Sequence, residues 1–127
     1  MRSLTTWSTV AVLAALGSGC VGTYPPGKAV HITVFVYPAP EARGGCGVVT
    51  IPQHAFARQG GDVVWDISSD ACSAAGEVTV DIDPKVVEMG EKDRKQKKGK
   101  VKGSPGTYKY KVALGSGFVE DPRIEIW

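Results

Sequence analysis

The chain has 127 residues, of which 43% are hydrophobic and 22% charged, with a formal net charge of +2. That length fits one domain, the balance is ordinary for a globular protein, and no apolar run reaches the eighteen residues of a membrane-spanning helix. Sixteen Gly and eight Pro imply frequent turns, and therefore short strands rather than long helices.

The opening residues, "MRSLTTWSTVAVLAALGSGC", combine Arg2, a short apolar run and small residues before Cys20. This is the layout of a secretory signal peptide over residues 1–19, to be set aside from the fold. The Cys after "GSG" also resembles the lipobox of bacterial lipoproteins, with one departure: Leu16 lies four residues before Cys20, and Gly17 holds the family's usual Leu position. The resemblance implies lipid on Cys20 and a membrane anchor in the bacterial cell envelope. With Val21 rather than Asp next, it implies an outer-membrane lipoprotein facing the periplasm or the cell surface in a host with two membranes. Ordinary cleavage near Gly19 is the alternative. Cysteine parity bears on the choice. If Cys20 is acylated, Cys46 and Cys72 remain as an even pair in a compartment where disulfides persist. A structural disulfide is then expected between them.

Residues 20–28 read as the lipidated Cys and a Gly/Pro-rich tether, and residues 29–127 as the domain. The stretch "AVHITVFVYP" places Val30, Ile32, Val34 and Val36 on one face and His31, Thr33, Phe35 and Tyr37 on the other, the period of a half-buried strand. "VVTIPQHAFARQGG" is interrupted by Pro52 and reads as two short strand pieces. "DVVWDI" sets Val63, Trp65 and Ile67 against Val64 and Asp66, and "EVTVDID" sets Val78, Val80 and Ile82 against Thr79, Asp81 and Asp83. "GTYKYKV" and "RIEIW" close the chain as two more strands, joined by "ALGSGFVEDP" read as a flexible connection. Six or seven short strands without a helical period predict an all-β Greek-key sandwich.

One segment breaks the pattern. Residues 92–102 hold Lys92, Arg94, Lys95, Lys97, Lys98, Lys100 and Lys102 against Asp93 alone, a charge of +6. Without residues 1–19 the chain has fourteen bases and thirteen acids, so the rest of the domain carries about −5. Such a stretch reads as a solvated, mobile basic loop at about 90–104. Its seven bases are the candidate contact for a polyanion, an anionic envelope component or an acidic protein partner. Nucleic acid is not expected, since the protein is exported and no aromatic residue interleaves the charges.

"FARQGGDVVWDI" resembles the cupredoxin pattern of a Gly-Asp turn before a Trp-bearing strand. "GTYKYKV" resembles the later cupredoxin strand leading to the metal loop, and "DPRIEIW" its closing strand. The resemblance implies a cupredoxin-like (plastocyanin-like) sandwich, with an immunoglobulin-like sandwich as the alternative. It does not extend to the metal. A blue-copper site takes two imidazoles, a thiolate and a weak axial thioether. The matching positions hold Val112 for the thiolate, a residue near Gly115 for one imidazole and one near Glu120 for the axial Met. "CSAAGEV" stands where the other imidazole belongs. No cofactor or metal ligand is therefore assigned.

Nothing else assembles into a reactive centre. His31 and His54 are single residues without a second ligand at a known spacing, and neither Cys46 nor Cys72 has an activating base beside it. Ser68, Ser69 and Ser73 lack a nucleophile elbow, and Asp81 and Asp83 read as solubilising residues on a strand face. The expectation is a non-catalytic envelope lipoprotein acting as a binding or assembly module. The alternative is a metal-handling or electron-transfer protein with a non-standard metal site.

Overall fold

In the computed structural model of the chain, the described residues are 29–127; the expected leader, Cys20 and tether lie outside them. Alternating apolar and polar positions resolve into strands β1 (Val30–Pro38), β2 (Cys46–Ile51), β3 (His54–Ala57), β4 (Asp62–Ser68), β5 (Val78–Asp81) and β6 (Val87–Lys92). They continue as β7 (Gln96–Val101), β8 (Gly106–Lys109), β9 (Lys111–Leu114), β10 (Val119–Glu120) and β11 (Arg123–Ile126). Among the described residues, two short 3-10 turns, Arg43–Gly45 and Ser73–Ala75, are the helical elements.

One sheet has the order β2-β1-β4-β7-β6, with β1 and β4 parallel and the other pairs antiparallel. The opposing layer consists of two three-stranded sheets, β10-β9-β5 and β3-β11-β8. The chain changes layer between β2 and β3, where the Ile51–Pro52 peptide is cis and Pro52 ends the β2 ladder. The result is all-β and sandwich-like, as the strand periodicity requires.

The two three-stranded sheets share one long hairpin. Pairs from Ile126↔Gly106 to Arg123↔Lys109 keep the same offset as Glu120↔Val112 and Val119↔Ala113. The strands separate at Pro122, which has no N–H to donate, but Tyr110 N–H still donates to the Pro122 carbonyl at 3.1 Å. Within the expected flexible connection from Ala113 to Pro122, Ala113 and Leu114 end β9, Val119 and Glu120 form β10, and the residues between them make a hydrogen-bonded turn. Its turn is closed by Leu114 N–H donating to Phe118 O at 2.8 Å and Gly117 N–H to Leu114 O at 2.9 Å.

The core lies between the layers. Ile32, Val34, Val36, Val63 and Trp65 face inward from the five-stranded sheet, and Val112, Ile124 and Ile126 from the other side, all essentially without solvent exposure. Val64 is on the outward face yet is buried, because β4 is central and His31 and Lys98 flank it in register. Trp65 and Tyr110 meet edge-to-face with ring centres 5.7 Å apart, and Trp65 Nε1–H donates to Tyr110 Oη at 3.1 Å. An aromatic pair that also satisfies its buried N–H contributes more than its area alone. Burial holds the Tyr110 phenol well above its usual range, at about 12, with the Glu120 carboxylate adding to the effect.

Candidate functional site

The basic segment differs from its expected form. The loop predicted at about 90–104 is the antiparallel hairpin β6–β7, with an irregularity between Met89 and Glu91. Charge density hides a period of two: Lys97, Gly99 and Val101 point inward and Gln96, Lys98 and Lys100 outward. Gly99 is required there, because a Cβ would come within 2.5 Å of the Val87 side chain on β6. Lys97 is only 5% exposed and donates through Nζ to the Asp93 carbonyl at 3.1 Å, its aliphatic stem filling the inner row.

The hairpin also pairs half of its outward bases with carboxylates. Lys98 Nζ lies 3.9 Å from Glu91, Lys100 Nζ 3.5 Å from Asp62 and Lys102 Nζ 3.2 Å from Glu88. Of the seven candidate bases, Lys97 is turned inward and these three are paired. Lys92, Arg94 and Lys95 remain at the tip, exposed and without an ion pair among the described residues. A diffuse basic loop is thus replaced by a compact cationic tip. The tip is pinned to the sheet where Ile67 N–H donates to Lys95 O at 2.9 Å.

Cys46 and Cys72 form the expected disulfide, with Cα atoms 6.1 Å apart. Cys46 opens β2 rather than lying in a loop, and it is fully buried. The bond ties the β2 edge to the loop that holds Cys72, and that loop in turn meets the turn after β9. Gly115 N–H donates to Glu77 O at 2.8 Å and Ser116 N–H to Ala75 O at 3.0 Å. The two loops singled out for copper ligands therefore touch, although the residues there are Ala75, Glu77, Gly115 and Ser116. Val112 is buried and inward-facing, and Glu120 accepts a hydrogen bond from Gln53 Nε2 at 3.2 Å. Among the described residues, no three His, Cys, Asp or Glu side chains are grouped so as to hold a metal ion.

The histidines are on strands of different sheets, His31 on β1 and His54 on β3. His31 Nδ1–H donates to Asp66 Oδ2 at 2.9 Å across the parallel β1–β4 pair. Gln96 Nε2–H donates to Asp66 Oδ1 at 2.9 Å from the other side. These two bonds, the one from Gln96 first, hold the Asp66 carboxyl below its ordinary range. His54 Nε2 lies 3.3 Å from Glu125 Oε1 on the outer face of β3 and β11. Asp81 and Asp83 border a cleft with Asp121, Lys109 and Lys111, so lysines offset part of the carboxylate charge there.

The outer face of β3 and β11 was not legible as a site. His54 and Phe56 stack with ring centres 5.0 Å apart, and the Arg58 guanidinium lies 4.7 Å from the centre of the Trp127 ring. Phe56 and Trp127 are both more than half exposed. His54 and Phe56 are neighbours on one face of β3, but bringing Glu125 and Trp127 beside them depends on the parallel pairing of β3 with β11, which joins segments some seventy residues apart. Comparison of the chain with protein-family models and with curated proteins found no match.

Proposed function

We propose that the chain is an exported, non-catalytic binding module of the bacterial cell envelope. In this reading it is anchored through lipid on Cys20 and built on a copper-free, cupredoxin-like Greek-key sandwich. The leader residues and the cysteine parity support export and the anchor. The cupredoxin-like reading draws support from the meeting of the Cys72 loop with the turn after β9 and from the position of Trp65 on β4 after the Gly-Asp turn. The absence of imidazole and thiol side chains at the four matching positions supports a role without copper.

The observation that carries the binding reading is the tip of the β6–β7 hairpin. Lys92, Arg94 and Lys95 stand exposed there without carboxylate partners among the described residues, on a domain whose remainder is net acidic. Cations concentrated on a fixed tip attract a polyanion without holding the acidic body against it. The test is retention of the mature chain, residues 20–127 carrying C20A so that no lipid holds it, on anionic vesicles and on an immobilised acidic polysaccharide, at about 50 and 500 mM salt. Salt-sensitive retention that is lost in K92E/R94E/K95E is expected; retention unchanged by the triple substitution would exclude the tip as the contact. Mass measurement of the mature N-terminus checks acylation of Cys20 independently.

A further inference from the structure

Beside the aromatic strip lies a polar cavity of about 280 Å³ lined by Gln53, His54, Asp121 and Arg123. We infer that this cavity and the adjoining face of β3 form a saccharide-binding site, independent of the cationic hairpin tip.

The lining chemistry carries the first part of the argument. The four lining residues carry an amide, an imidazole, a carboxylate and a guanidinium, all planar groups. Most offer two hydrogen-bonding atoms at a fixed separation, which matches the adjacent hydroxyls of a sugar ring. Asp121 and Arg123 balance each other in charge, so the cavity does not favour a bare anion or cation. Its volume falls just below the range of about 300–1,000 Å³ typical of drug-sized ligands and suits a single ring.

The site is also preorganised. Arg123 N–H donates to Gln53 O at 2.8 Å, and Gln53 Nε2–H donates to Glu120 Oε2 at 3.2 Å, so backbone and amide are both fixed. His54 is held between Glu125, 3.3 Å away, and the stacked Phe56 ring. Groups fixed before binding lose less entropy when the ligand arrives.

The apolar neighbour decides among occupants. Phe56 is 58% exposed with one side stacked on His54, leaving ring surface for the C–H face of a second sugar. Trp127, 56% exposed beside Arg58, extends the strip. Two half-exposed rings supply on the order of 200–300 Å² of apolar surface. A stable self-association needs about 800 Å² per partner. The patch is therefore too small to be the core of a dimer and large enough for one or two sugar rings.

The test is an NMR titration of the purified full chain with tetrasaccharides of glucose, galactose, N-acetylglucosamine and galacturonate. At least one is expected to move the signals of Gln53, His54 and Arg123, saturating below about 1 mM. F56A and R123A, their folding checked by amide dispersion, are expected to weaken that response at least tenfold, and K92E/R94E/K95E to leave it unchanged. Three results would overturn the site: no response to any of the four up to about 10 mM, a response that survives F56A and R123A, or concentration-dependent self-association that those substitutions abolish. Loss of retention on polyanions by the triple hairpin variant leaves this titration intact, so the two readings fail separately.

Discussion

Trp65 on β4 donates its indole N–H to the phenol oxygen of Tyr110, 3.1 Å away in the opposing layer, and the two rings cross edge-to-face. One hydrogen bond thus fixes how the five-stranded sheet sits on the hairpin built from β8 to β11. Tyr110 stands at the point where Pro122 interrupts that hairpin, so the bond braces the ladder where it is weakest.

The Tyr110 phenol gives the domain an alkaline limit. Its pKa is about 12 in the folded chain against 10.0 ordinarily, with burial the main cause. Folding therefore favours the protonated form. That stabilisation is complete below pH 10 and is lost as pH rises through 12, about 2–3 kcal/mol in all. Urea unfolding across pH 9–12 should show this fall. Y110F should lose roughly 1–3 kcal/mol at neutral pH, because the Trp65 N–H is left without a partner, and should flatten the alkaline fall.

Asp66 acts in the opposite direction. Hydrogen bonds from Gln96 and His31 lower its folded pKa below 3.8, so folding favours the carboxylate. The stabilisation is present above the ordinary carboxylate range and is lost as pH falls through the folded value. Thermal melts from pH 6 down to 2 should show a shallower acid decline for D66N than for the unsubstituted chain. An identical decline would show that the two hydrogen bonds do not hold in solution. The carboxylate is substantially exposed, so solvent screens the effect and its size is modest.

The Cys46–Cys72 bond joins residues 26 apart in sequence. Closing a loop of that length stabilises by roughly 3–4 kcal/mol in the chain-entropy account. Intact mass under non-reducing conditions should show a two-dalton deficit relative to the dithiol. Chemical denaturation of C46S/C72S should give a midpoint lowered in proportion to that loss. Two free thiols in the native chain would reject the pairing.

Within the basic hairpin, sequence neighbours should behave differently. K97A removes a buried stem and the bond to the Asp93 carbonyl, and should cost about 1–2 kcal/mol. K98A and K100A break only exposed pairs with Glu91 and Asp62 and should stay within about 0.5 kcal/mol. G99A should cost more than either, since its Cβ would meet the Val87 side chain at 2.5 Å. Equal effects at Lys97 and Lys98 would contradict the inward turn of Lys97.

Periodicity by itself determined most of the framework. The inward sets Ile32–Val34–Val36, Val63–Trp65–Ile67 and Ile124–Ile126, the break at Pro52 and the pairing of the two downstream cysteines all follow from local spacing and parity, which act over a few residues. The basic segment shows where local reading stopped. Its charge outweighed its alternation, and only cross-strand partners reveal that Lys98, Lys100 and Lys102 are neutralised while Lys97 is buried. Nothing local to Gly99 marks it as more than a turn former, whereas contact with Val87 makes it a packing requirement. The meeting of Gln53 and His54 with Asp121 and Arg123 was likewise settled in three dimensions. Strand pairing brings distant segments together through backbone hydrogen bonds that carry no mark in the side chains, so tertiary structure alone decided which exposed residues became neighbours.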